Sequence, residues 1–363
     1  MFTSIHLFDD PAILQQLRPL TDHKSLSDLF IGTSSIADKW KKHCHRIDEN
    51  ADLHIIGCLL PSPEIIQTLK SLIPGETLYY QETPIAYFNH HKEKSRKSIQ
   101  QLDIILHPDD LLNFQLSYLP KEITPNSFDL PTLRALGNII LSPENCYIHP
   151  SAQIKGSIID ASHGPVHIAE QANIQIGTLI QGPVYIGQHS ITNLGAKIRP
   201  YTSIGKHCKV GGEISMSLIH DYTNKAHDGY LGNSIIGSFC NFGALSNSSN
   251  VKNDLKNVQI FDYSLKGFRQ TACRSIGLIC GDFITIGIGS QFNTSTVLGS
   301  HSNITCHEFP ERYIPSFSWG KAPNFEKFTL EKAIATAATW SKSKNNELAE
   351  KTILRMHEIW KEL

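Results

Sequence analysis

The chain has 363 residues, enough for two domains with real cores. Its formal net charge of -1, with 18% charged residues, leaves no basic stripe for nucleic acid, and no apolar run is long enough to span a membrane. Eight cysteines with no CxxC pair, and an N-terminus (MFTSIHLFDD) with no basic n-region or apolar h-region, point to a reducing, cytoplasmic setting without a secretory leader.

Residues 1 to 140 are poor in glycine: only Gly32, Gly57 and Gly75 precede Gly137. Ser4–Phe8 reads as a strand. Ser25 to His43 has helical spacing through Leu29, Ile36 and Trp40. His54–Leu60 reads as a buried strand, and Pro63–Leu72 as a helix with Ile65, Ile66 and Leu69 on one side. Alternating strands and helices predict a small α/β domain over 1–140. HKEKSRKS, 91–98, reads as a solvated basic loop. No glycine-rich phosphate loop follows the first strand. Asp9-Asp10 has the donors for a metal, but a carboxylate just before Pro11 at a strand end reads better as a helix cap.

From Asn145 a period of six takes over. Ile168, Ile174, Ile180, Ile186, Thr192, Ile198, Ile204 and Val210 are evenly spaced, and all but Thr192 are β-branched aliphatics. Two residues before each, from Ile174 on, stands a small side chain: Ala172, Thr178, Val184, Ser190, Ala196, Thr202 and Cys208. The period returns at Ile148 and Ile154, at Ile236 and Phe242, and at Cys280, Ile286, Phe292, Leu298 and Ile304. A helix repeats every 3.6 residues and a half-buried strand every 2, so neither explains it. Six residues make one side of a three-sided coil, each aliphatic packing on the coil above and below. The predicted fold class is therefore mainly β: a parallel β-helix over 141–320, a small α/β domain before it and a helical tail over 321–363.

Two stretches break the period. HDYTNKAHDGYLG, 220–232, and a segment from Leu245 to about Cys273 read as loops thrown out from the coil. The second is rich in Asn and Lys and is read either as a cover for a phosphorylated ligand or a neighbouring subunit, or as a disordered excursion. His301 and His307, one period apart, are expected to line one face, without a recognisable further metal ligand. FPERYIPSFSWG, 309–320, reads as an exit segment. A helix begins after Thr329, breaks at Asn345-Asn346 and resumes from Leu348 to Trp360, expected to cover the coil end or pack on a neighbour.

KVGGEIS (209–215), NKAHDGYLGNSIIGSFCNFGA (224–244), NSSNVKN (247–253) and IPSFSWG (314–320) resemble the left-handed β-helix acyltransferases. The nearest likeness is to the bifunctional N-acetylglucosamine-1-phosphate uridyltransferase / glucosamine-1-phosphate acetyltransferase family, in its Bacteroidetes-type form. LRPLTDHKSLSDLFIGTSSIADKW, 17–40, resembles the start of that form more loosely. The resemblance implies a left-handed coil and a homotrimer with acetyl-CoA along the coil edge between subunits. It implies His227 as general base, the Ala244 backbone N–H as oxyanion donor, and Arg199, Tyr230, Asn241 and Asn250 as sugar-phosphate contacts. Histidine suits a base at neutral pH, and a guanidinium fork suits phosphate.

The chain departs from that pattern in places. Ser215 or Ser217 stands where the family has a phosphate-binding lysine, Val251 where it has a tyrosine, and His23-Lys24-Ser25 where it has Thr-Arg-Pro. The glycine-rich loop and metal aspartates of a full nucleotidyltransferase domain are missing, so nucleotidyl transfer, and any Mg²⁺ requirement, is expected to be feeble or lost. The expected function is acyl-CoA-dependent N-acetylation of an amino-sugar phosphate in nucleotide-sugar biosynthesis. The alternatives are a sugar-1-phosphate nucleotidyltransferase with a reduced N-terminal domain, and a non-catalytic β-helix scaffold binding a nucleotide sugar.

Overall fold

The structure, a computed structural model, describes residues 1–89, 95–99 and 102–363. The N-terminal sheet has six strands in the order Cys44–Ile47, Phe2–Phe8, Leu53–Ile56, Thr83–Phe88, Glu76–Tyr80, Ser95–Ile99. Phe2–Phe8 runs parallel to both its neighbours, while Thr83–Phe88 runs antiparallel to both of its own. Helices Pro11–Gln16, Pro63–Lys70 and Pro108–Glu122 each begin on a proline, whose missing N–H is no loss there. Asp10 is a cap, as its place before Pro11 suggested: its carboxylate accepts the N–H groups of Ala12 and Ile13 at 2.9 and 3.0 Å.

Two readings of this region are corrected. Ser25–His43 is not one helix. Leu26–Asp28 is a single 3-10 turn, Phe30-Ile31 and Ser34-Ser35 pair as a hairpin, and only Ile36–Lys41 is α-helical. The turn between the hairpin strands passes through Gly32 at φ +62°, outside the helical region. The basic stretch 91–98 is not wholly a loop, since Ser95–Ile99 is an edge strand; residues 91–94 lie outside the described residues.

The fold class is the expected one, mainly β, with a parallel β-helix as its body. Three parallel sheets stack into its coils. The first rung is Ile139–Leu141, beneath Ile158–Asp160. Every aliphatic of the six-residue series points inward and is buried, as are all seven small residues two places before them. Burying each such aliphatic stabilises by about 1.5–3 kcal/mol. Thr192, the one polar member, is satisfied by the Thr178 hydroxyl at 3.2 Å.

HDYTNKAHDGYLG does not leave the coil. Leu218-Ile219, Asn224-Lys225 and Tyr230–Gly232 are ordinary rungs of the three sheets. The period fails because the corners shorten: Val210 lies under Lys225, 15 positions on, whereas Thr192 lies 18 positions below Val210. Counting in sixes therefore loses the register. The second stretch is a true excursion, but shorter and ordered. Asn247-Ser248 is still a rung, and the loop then carries a hairpin of Gln259–Asp262 with Gly267–Gln270. Val258, Ile260 and Tyr263 on it are buried in one cluster with Ile5, Leu17 and Ile55 of the N-terminal layer. Arg269 bonds Asp109. The loop thus clasps the two layers together.

One corner carries a ladder of stacked rings: His189, His207, Tyr222, Phe239, Phe283, His301 and Phe317, with centroids 4.7–5.3 Å apart. All seven have φ between 55° and 66°. The tail helices, Leu330–Ser343 and Glu350–Lys361, lie beside this ladder through a cluster of Phe317, Phe328, Ala333, Ala337, Met356 and Ile359. Lys344 reaches the His207 carbonyl and the Asn224 side chain at 3.1 and 2.7 Å, and Arg355 the Asp22 carbonyl at 3.0 Å. The tail thus straps the flank of the coil to the N-terminal layer.

Candidate functional site

The coil from Asn224 to Gly232 places the candidate residues. After Lys225 the chain turns a corner through Ala226, His227, Asp228 and Gly229, and His227 stands exposed on it. In the next coil Asn241 lies over Asn224, so Ala244 follows the same corner one layer up. The Leu245 N–H donates to the Asp228 carbonyl at 2.9 Å and ties the two corners together. The Ala244 carbonyl is taken by the Gly289 N–H at 2.8 Å, while its own N–H makes no hydrogen bond among the described residues. The fold therefore brings together a histidine imidazole and an open backbone donor. Asn241 is one strand away, its side-chain oxygen 3.5 Å from the Asn224 amide nitrogen.

Arg199, Tyr230 and Asn250 form a second group on the adjoining sheet. Arg199 pairs with Glu213 at 3.0 Å, both partly exposed, so the pair is weak and open to exchange for another anion. Tyr230 lies over Glu213 in register. Its hydroxyl accepts from the Asn250 amide at 3.2 Å, and that amide also donates to Asn233 at 2.6 Å. Burial, then the Glu213 charge, raises the Tyr230 pKa, so it stays a neutral phenol. Beneath Arg199 lies a trough of about 360 Å³, floored by Ile158, Leu179, Ile180 and Ile198 and edged by Lys197 and Glu213. No side-chain hydrogen bond joins the two groups among the described residues. Glu213, Asn233 and Lys225 were not singled out in the sequence. All three lie inside KVGGEIS and NKAHDGYLGNSIIGSFCNFGA, but the resemblance attached no role to them, and the inward place of Lys225 was hidden because the six-residue count had lost its register.

His301 and His307 do not share a face. His301 is buried in the ring ladder, whereas His307 is exposed at another corner beside Gly289. No group of three His, Cys, Asp or Glu able to hold a metal occurs among the described residues. No helix among them is long and apolar enough to cross a membrane.

The N-terminal layer holds a cavity of about 450 Å³ lined by Asp9, Arg18, Asp22, Lys24, Lys351 and Arg355, among others. Most of its cations are already engaged. Arg18 bonds Asp22 at 2.7 Å and also pairs with Glu362, Lys24 pairs with Asp282, and Arg355 bonds Glu358 at 2.8 Å. Asp9 accepts the Leu26 N–H at 2.7 Å, and burial raises its pKa. His23 is half-buried, with its Nε2 2.6 Å from that of His301, and desolvation of the ring pushes its pKa down to about 3. The segment Arg18–Lys24 is thus spent on docking to the β-helix and the tail.

Residues 5–49 match a family model described as sugar nucleotidyl transferase. The bifunctional protein GlmU of Methanococcus maripaludis is 35% identical over 107 residues, covering 30% of this chain and 25% of that protein. A bifunctional sugar-1-phosphate nucleotidylyltransferase/acetyltransferase of Sulfurisphaera tokodaii is 32% identical over 173 residues, covering 47% of this chain and 40% of that protein. The chain thus spans about a quarter to two fifths of the length of these curated relatives. Among solved structures, an acetyltransferase from Bacillus cereus aligns over 56% of this chain and 98% of its own, at 14% identity and a TM-score of 0.28. AntD, an N-acyltransferase from Bacillus cereus in complex with dTDP and coenzyme A, aligns over 60% of this chain and 100% of its own, at 14% identity and a TM-score of 0.22. At that level the two structures are likenesses only and carry no argument about this chain. Over these stretches the chain is similar to GlmU-type bifunctional proteins and, at its N-terminus, to sugar nucleotidyl transferases.

Proposed function

We propose that this chain is an acyl-CoA-dependent N-acyltransferase acting on an amino-sugar phosphate of the glucosamine-1-phosphate type, working in the cytoplasm as a homotrimer. The observation that carries the reading is the corner where exposed His227 lies one coil below the open N–H of Ala244. Acyl transfer to an amine needs both groups. The amine nitrogen attacks the thioester carbonyl carbon while the His227 imidazole takes the proton that nitrogen sheds. The carbonyl oxygen becomes an oxyanion, which the Ala244 N–H is placed to receive. Collapse re-forms the carbonyl, breaks the C–S bond and releases CoA as thiolate, to which the imidazolium returns its proton. Such a base contributes roughly 10²–10⁴-fold, and an oxyanion donor about 10²–10³-fold.

Binding falls to the second group together with Asn241. Arg199 exchanges Glu213 for the sugar phosphate, and Tyr230, Asn241 and Asn250 offer neutral donors and acceptors to the sugar. The carboxylate of Glu213 beside Arg199 takes the place of the extra cation a phosphate site would favour, so a weak affinity for the phosphate is expected. The Sulfurisphaera tokodaii relative, named for acetyl as well as nucleotidyl transfer, lends this reading support.

The test is release of free CoA from acetyl-CoA with glucosamine-1-phosphate as acceptor, resolved by chromatography, because the eight native cysteines would confuse a thiol dye. Turnover that disappears in His227→Ala supports the reading. No turnover with several amino-sugar phosphates, in a chain that still melts cooperatively, overturns it. The match over residues 5–49 favours a second reading, sugar-1-phosphate nucleotidyl transfer with Mg²⁺. Against it stand the engaged cations of Arg18–Lys24. Stabilisation by UTP with magnesium, and not by CoA, would reverse the order of the two readings.

A further inference from the structure

Lys225 occupies an inward position of the β-helix. It lies directly over Val210, with Phe242 the inward residue of the next coil, and it is 1% exposed. An aliphatic would suit that stack better, because burying an ammonium is expensive unless its donors are all used.

The reason for a lysine lies in the corner that follows. Between Val210 and Glu213 the lower coil has two residues, Gly211 and Gly212. Between Lys225 and Tyr230, which sit over that same pair, the upper coil has four. Two extra residues must bulge outward, and their carbonyls overhang a corner too short to supply ladder N–H groups. The shortage is met by side chains. The Asn193 amide reaches up to the Ala226 carbonyl at 2.8 Å. Lys225 Nζ donates to the carbonyls of His227, Asp228 and Gly211, the last two at 3.4 Å. An ammonium has three protons, and three carbonyls receive them. Burial lowers the amine pKa to about 8, partly offset by Asp228, as expected for a cation held inside an apolar coil. The Asp228 carbonyl also accepts the Leu245 N–H, so the same clamp reaches the corner that carries Ala244.

We propose that Lys225 is a positioning residue: it holds the bulged corner so that His227 faces the Ala244 N–H. The proposal rests on the reading of His227 as a general base, and it adds the buried element that fixes the base. Lys225 touches no reacting atom; it acts through the His227 and Asp228 backbone.

The test is Lys225→Met in the full chain, which fills the stack and removes the donors. Three quantities are read: amide hydrogen exchange at Gly211, Glu213 and Leu245, whose N–H groups donate to the Lys225, Gly229 and Asp228 carbonyls of this corner; the melting temperature; and kcat and KM for acyl transfer. Exchange at the corner is expected to rise at least about tenfold with the other coils unchanged. The melting temperature should move by only a few degrees, because a buried cation is replaced by a well-packed apolar chain. kcat should fall roughly 10- to 100-fold with KM nearly constant, the scale of an ~1 Å misplacement. Unchanged exchange at Gly211, Glu213 and Leu245 overturns the proposal. So does a rise in exchange throughout the β-helix, which would make Lys225 an ordinary core residue. Should Lys225→Met fail to fold, Lys225→Gln, which keeps an amide donor, is read in the same way, and failure of both overturns the proposal. Absence of turnover in the unmutated chain would sink the acyl-transfer reading instead, with corner exchange still deciding the role of Lys225.

Discussion

The coils up to Val210 and the coils from Gly211 to Ser248 share three sheets and one inward series, yet they are built differently. From Ile168 to Ile204 the register advances by 18 at successive rungs, and the inward series from Ile168 to Val210 is aliphatic apart from Thr192, whose hydroxyl is satisfied. In the second the advance drops to 15 and then 17, Ile204 to Ile219 to Ile236, and a lysine enters the interior. The regular coils are a scaffold. The candidate base and oxyanion donor sit where the repeat is shortest, at a corner where the Ala244 N–H is open and His227 stands exposed.

The sharpest way to break that comparison is to remove one histidine from each set. His227→Ala is expected to lower turnover by roughly 10²–10⁴-fold. His189→Ala, in the ring ladder of a regular coil, should leave turnover within about twofold while loosening the stack slightly. Equal effects in steady-state kinetics would deny that the irregular coils are special. Stability should show the reverse emphasis. Ile186→Ala, fully buried in a regular coil, should cost about 2–5 kcal/mol in chemical denaturation. Lys225→Met should come close to neutral.

A smaller effect is expected at the second group. Arg199→Ala should raise KM for the phosphorylated acceptor about tenfold with kcat little changed, and Glu213→Gln should lower that KM. An Arg199→Ala protein with unaltered KM would remove Arg199 from the site.

The smallest effect is a pH dependence at the seam between the layers. Burial lowers the His23 pKa to about 3, and it lowers that of His301 well below the ordinary value. Between pH 6.5 and about 3 the unfolded chain therefore binds more protons than the folded one. The stability these groups contribute is fully present above pH 6.5 and is lost as pH falls through that window. The double variant His23→Phe/His301→Phe extends the ladder of Phe283 and Phe317, and calorimetry from pH 7 to pH 4 should find its melting temperature less sensitive to acid. An unchanged slope would place the acid sensitivity elsewhere.

Much of the fold was legible from spacing alone. Ile168 to Val210 announced the three-sided coil, because a buried stack admits only one side-chain direction every six residues. Asp10 was legible as a cap from the proline after it. The site was legible less directly. His227, Tyr230 and Asn241 came from a resemblance, and the broken period at 220–232 suggested around His227 and Tyr230 a loop that does not exist. Ser25–His43 misled because apolar residues at helical spacing also fit a hairpin once Gly32 turns the chain.

The sequence by itself determined the coil, its inward series, the small α/β layer and the helical tail, since each follows from local periodicity and capping. Only the tertiary structure decided that the 245–273 excursion clasps the N-terminal layer, that the tail straps the flank of the coil, and that Lys225 points inward beneath His227. Those outcomes depend on which carbonyls and apolar surfaces distant parts of the chain leave uncovered, and no local pattern of residues records that.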